Sequence, residues 1–117
     1  MKFYYNGKLM RTSKTHTYTH ALLTETGTLR SCHGSREAAE KELRALISQH
    51  ETNIEDCKRA IKAIEKGQTY YFAGHRQQYK CSLKGKTIEH YEEWIEKYKR
   101  IIAFFEKHQI VELEARA

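Results

Sequence analysis

The sequence predicts an α+β protein in which a small antiparallel β-sheet of hairpins packs against a long antiparallel helical hairpin. Three observations carry that expectation. Two short apolar and aromatic runs, residues 2–5 and 8–12, flank Asn6-Gly7, the dipeptide best suited to a two-residue hairpin turn. From Ala39 onward the apolar residues switch to helical spacing (Leu43, Leu46, His50, Ile54, Cys57, Ile61, Ile64), and they do so again at Ile88, Tyr91, Ile95, Tyr98, Ile102 and Phe105. Two matched stripes imply helices that bury against each other what neither buries alone.

The elements follow in order along a single predicted domain, residues 1–117. Residues 1–34 hold two hairpins: the first turns at Asn6-Gly7, and the second joins the β-branched and aromatic run 15–24 to residues 28–33 through Glu25-Thr26-Gly27. Ser35 reads as an N-cap, since its hydroxyl accepts an orphan amide of the first helical turn, and the long helix occupies 35–67. Gly67 ends it where a left-handed residue is wanted, with Lys66 against the negative helix end. Residues 68–86 place two aromatic runs around Ala73-Gly74-His75-Arg76 and are expected to form a hairpin or loop. Thr87 caps a second helix over 87–109, in which Trp94 and Ile101 widen the apolar stripe. The tail, 110–117, alternates apolar and acidic residues and suits either an edge strand or a frayed helix end.

Composition narrows the function classes. A basic chain of 117 residues with net charge +6 has room for one core. Its longest apolar run, 101–105, falls far short of the roughly 20 residues a bilayer requires, and no apolar signal segment opens it, so a cytoplasmic protein is expected. Three widely spaced cysteines, Cys32, Cys57 and Cys81, fit reduced thiols better than a disulfide framework. No GxGxxG, GxxxxGK[ST], GxSxG, HExxH or CxxC pattern occurs, so neither cofactor nor metal is expected and the chain reads as a non-enzyme.

The charge is distributed unevenly. Residues 1–35 carry five bases and one acid, and residues 68–86 carry four bases and no acid, whereas 36–67 are neutral and 87–117 net acidic. A charge matters for binding where it is concentrated on one surface. The predicted patch comprises Lys8, Arg11, Lys14, Arg30, Arg76, Lys80, Lys84 and Lys86, interleaved with Tyr4, Tyr5, Tyr18, Tyr71 and Tyr79 and joined by His16, His20 and His75. Cations attract a phosphate backbone at long range, and tyrosine faces stack on unpaired bases. The binding partner expected is therefore DNA or RNA.

Other constellations carry less chemistry. His16 and His20 in an extended run stand roughly 13 Å apart at about 3.3 Å per residue, too far to share a zinc ion; with Tyr18 between them they form a polar strand face. Cys32 and His33 point to opposite sides of a strand, so His33 is badly placed as a base, and Cys32 reads as a small buried hydrophobe, as does Cys57 on the helix stripe. His50 at the helix seam reads as a register-setting polar group. Glu89, Glu92, Glu93 and Glu96 form an acidic band on the second helix.

In element order alone, the first 45 or so residues, strands followed by GSREAAEKEL, resemble the three-strand-plus-helix layout of arm-type and AP2-like DNA-binding domains, with no diagnostic motif shared. The competing expectation is a protein-binding inhibitor or adaptor, such as an anti-defence protein of a phage or mobile element, similar in kind to anti-CRISPR proteins, that blocks a nucleic-acid-processing enzyme. Its partner face would be Glu89, Glu92, Glu93 and Glu96, mimicking phosphate. The long helix outruns its partner and leaves apolar surface near Leu43 or Ile54, which is compatible with a homodimer.

Overall fold

The computed structural model describes residues 1–67, 70–71, 80–81 and 88–117, with the backbone alone at 70, 71, 80 and 81. The fold is α+β with a helical hairpin, and the chain divides into two compact units: residues 1–47 with 104–117, and residues 48–103.

The first unit contains both long hairpins. Strands β1 (Lys2–Tyr5) and β2 (Lys8–Thr12) pair antiparallel, with a bulge in β2 at Met10. Asn6 and Gly7 have φ of 50° and 77°, and positive φ at both central positions is what the tight hairpin turn demands. Strands β3 (His20–Leu23) and β4 (Leu29–His33) form the second hairpin, closed by the amide of Thr24 donating to the carbonyl of Thr28 at 2.9 Å. β3 is shorter than the expected run 15–24. The hydroxyl of Ser13 accepts the amides of Thr15 and His16, at 3.3 and 2.9 Å, and this local turn takes donors that a longer ladder would need.

The tail is two strands rather than a frayed helix end. β7 (Gln109–Glu112) pairs with β3, and β8 (Glu114–Arg116) pairs with β1, so one short segment edges both three-stranded sheets, β4-β3-β7 and β2-β1-β8. Leu113, between them, donates its amide to the carbonyl of Thr19 at 2.8 Å. The period-2 pattern explains the choice, since Val111 and Leu113 join the core while Glu112 and Glu114 stay exposed. The core gathers Ala21, Leu23 and Cys32 with Tyr5, Met10, Tyr18, Leu29, Val111 and Leu113 around it. Leu22 is also fully buried, although its side chain leaves β3 on the opposite side from Ala21 and Leu23, so this strand is covered on both faces.

Helix α1 (Arg36–Glu65) begins where expected: the Ala38 amide donates to Ser35 Oγ at 3.1 Å. Ser35→Ala is expected to cost about 1 kcal/mol, read as a lower midpoint in urea unfolding. At the other end, Gly67 takes φ of 67° and donates to the carbonyl of Ile64. Helix α2 (Ile88–Glu106) stops before residue 109. The amides of Lys107 and His108 bond three residues back, to Phe104 and Phe105, and the imidazole Nδ1 of His108 hydrogen-bonds the Phe104 carbonyl at 3.0 Å. That tightened turn satisfies the last carbonyls and releases the chain into β7.

In the second unit, Ile54, Cys57 and Ala60 of α1 pack on Tyr91 and Ile95 of α2, with Ile61, Ile64, Tyr98 and Ile102 at the margin. His50 meets the Tyr98 ring edge-on at 5.9 Å, and burial, with Cys57 and Asp56 nearby, pushes the Tyr98 phenol up. Asp56, which the hydrophobic periodicity does not single out, is 2% exposed. Ile54 is buried and Leu43 half-buried, and the exposed large hydrophobic residues among those described lie off α1: Met1, Leu9, Trp94 and Phe104. The uncovered α1 stripe expected as a dimer contact is therefore not present at Ile54. Within 68–86, expected to form a hairpin or loop, β5 (Tyr70–Tyr71) pairs antiparallel with β6 (Lys80–Cys81). No helix among the described residues is long and apolar enough to cross a membrane.

Candidate nucleic-acid interface

Three of the residues predicted to bind, Arg11, His16 and Tyr18, meet at the connection between β2 and β3, residues 13–19. Phe3, fully buried on β1, sets its ring edge-on to Tyr18 at 5.4 Å and 78°. His16 lies nearly parallel to Tyr18, with centroids 5.9 Å apart and planes 13° from one another. The guanidinium of Arg11 on β2 stands 5.3 Å from the Tyr18 centroid. Register explains the meeting, because Arg11 is directly opposite Phe3 in the β1–β2 ladder. Around this cluster Lys8, Arg11, Lys14 and His16 are exposed.

Tyr18 takes a different part from the one expected of it. It is half-buried and belongs to the core cluster, so it supports the surface rather than forming an open stacking face; the exposed ring is His16. Thr15 Oγ1 and His16 Nδ1 are hydrogen-bonded at 2.9 Å, and the Ser13 hydroxyl holds the His16 amide, so both the ring and its backbone are positioned. His16 and Tyr18 share a side as the alternation implies, but outside any strand.

The remaining predicted residues separate into groups. His20 lies directly opposite His33 on β4 and Glu112 on β7, and its Nδ1 is hydrogen-bonded to Thr19 Oγ1 at 2.8 Å. Arg30, at the bulge of β4, lays its guanidinium 4.7 Å from the Phe105 centroid. Tyr4 has its ring covered by Arg116 at 4.5 Å, and Arg116 in turn pairs with Glu114 at 3.1 Å. Arg116 is a cation that the charge count over 1–35 misses; the apolar-acidic alternation of the tail was its only signal. Tyr71 and Lys80 are paired across the β5–β6 ladder, while His75, Arg76, Tyr79, Lys84 and Lys86 lie outside the described residues.

Cys32 faces the core beside this cluster. Burial pushes its thiol up, and a hydrogen bond and the charge of Arg11 oppose that shift without overcoming it. The neutral thiol is thus favoured in the native state and the unfolded chain ionises first, so stability from this group is present below the free-cysteine pKa and declines as pH rises above it. Cys32 should accordingly react with a thiol reagent at pH 8 more slowly in native protein than in urea, measured with Cys57 and Cys81 replaced by serine. Equal rates would show that Cys32 is accessible and activated instead.

On α2, Glu89, Glu92, Glu93 and Glu96 are exposed and line a shallow depression with Lys97 and Arg100. Glu96 pairs with Lys99 at 3.3 Å, and Lys97 lies over Trp94 at 4.7 Å. Among the described residues, no three His, Cys, Asp or Glu side chains come together as a metal site. The chain matches no family model, no curated protein and no solved structure.

Proposed function

We propose that this chain is a small non-enzymatic binding protein whose basic, aromatic surface in the first unit binds nucleic acid. The observation that carries the reading is the joining of Arg11, His16 and Tyr18 in one ordered cluster flanked by Lys8 and Lys14, within a stretch whose only acid is Glu25. Such cations meet phosphates and release condensed counterions, which makes binding fall with salt. Fluorescence anisotropy of labelled DNA and RNA at 50 and 200 mM salt tests the reading: micromolar or tighter binding that falls steeply with salt supports it, and absent or salt-independent binding refutes it.

A second reading is a protein partner, DNA- or RNA-processing by class, held at the acidic face of α2. It is favoured by Glu89, Glu92 and Glu93, which are exposed and make no ion pair with any described residue. Under that reading the double variant Glu92→Lys/Glu96→Lys abolishes capture of a basic partner, while Arg11→Ala leaves it intact. The opposite pattern in a pull-down refutes it.

A further inference from the structure

Resting on the nucleic-acid reading, we infer that the strand taken by the first unit is single-stranded, with one of its bases stacked on the exposed imidazole of His16. Phe3, Tyr18 and His16 form a column of rings running from a fully buried position to an exposed one, and the column ends in a ring held nearly parallel to its support. Thr15 fixes that ring through Nδ1, and Ser13 fixes the backbone beneath it, so little side-chain freedom remains to be lost when a base docks. Arg11 stands against Tyr18, and Lys14, two residues before His16, is exposed, so cations neighbour the ring in the chain where a strand's phosphates would run.

A duplex has no use for this arrangement. Its bases are already stacked on one another, so none offers a free face to the ring. Here the exposed ring stands on an irregular connection between two strands, and its position suits an unpaired base, whose π-face is available whatever its identity. DNA and RNA single strands share this chemistry.

The test compares wild type, His16→Ala and His16→Tyr on labelled 12-nucleotide single strands of DNA and of RNA and on the matching duplexes, at one salt concentration and then along a salt series. His16 is exposed and outside any strand, so both variants keep the fold. Single strands are expected to bind more tightly than duplexes. His16→Ala should weaken single-strand binding about five- to hundredfold while His16→Tyr restores it, and the salt slope should be common to all three proteins because every lysine and arginine is retained. The DNA and RNA arms identify which strand is preferred. Tighter binding to duplex, or equal affinities for wild type and His16→Ala, overturns the inference and leaves the nucleic-acid reading standing. No binding to any strand overturns both.

Discussion

Phe3→Ala is expected to destabilise the first unit by about 3–5 kcal/mol and to take binding at the Arg11 cluster with it. Phe3 is, with Leu22 and Leu23, among the largest fully buried side chains of the described residues, and it lies on β1, the middle strand of the sheet β2-β1-β8. Truncation removes the transfer free energy of the ring and leaves a cavity that strands paired on both sides cannot close. It also removes the edge contact that supports Tyr18, so the ring beneath His16 loses its seat. Against a total stability of about 5–15 kcal/mol the loss is severe. Urea unfolding followed by circular dichroism measures it. Phe3→Leu, which keeps most of the volume, should cost about 1.5 kcal/mol or less and preserve binding. If Phe3→Ala unfolds at the wild-type midpoint, the account of this core is wrong.

The combined variant Lys8→Ala/Arg11→Ala/Lys14→Ala is expected to lose about a hundredfold in single-strand affinity at 0.1 M salt. Each phosphate contact on a single strand contributes about 0.7 to the slope of log K against log salt, which at 0.1 M corresponds to about fivefold per contact. Three such contacts multiply to roughly a hundredfold, and the slope should become shallower by about 2. All three side chains are exposed, so stability should change little by comparison, apart from the loss of the Arg11 contacts with Tyr18 and Cys32. A variant that binds with wild-type affinity and slope would remove these cations from the interface.

Much of the fold could be read from local chemistry. Asn6-Gly7, Ser35 and Gly67 act within a few residues of themselves, and each does in the structure what its backbone preference or side-chain oxygen dictates. The helical stripes were equally legible because burial repeats at the helix period, and Cys57 and Ile54 are in the core accordingly. What was not legible depends on distant partners. The tail could have continued as helix or become a strand until β3 and β1 offered it edges, from partners such as His20 for Glu112 and Lys2 for Arg116 that are remote in sequence. Residues 15–19 have strand composition, yet the Ser13 hydroxyl captures the amides of Thr15 and His16.

The candidate site was legible as a composition and only partly as an arrangement. Arg11 and Tyr18 follow from charge and aromatic interleaving and His16 from the alternating Thr/His face, and both Arg11 and His16 meet Tyr18. That Tyr18 is the support and His16 the exposed ring follows from Phe3 packing beneath Tyr18, a tertiary contact that no spacing rule encodes. Arg30 was grouped with them by charge alone, but a bulge in β4 sends it to Phe105.

The most direct test of the central claim is a nuclear magnetic resonance titration of the ¹⁵N-labelled 117-residue chain with an unlabelled single-stranded 12-mer. Chemical-shift changes are predicted for the amides of residues 8–20, largest around Lys14 to Tyr18, with the acidic turns of α2 at Glu89 to Glu96 unmoved. Shifts confined to α2, or no shifts at a saturating excess of oligonucleotide, would contradict it.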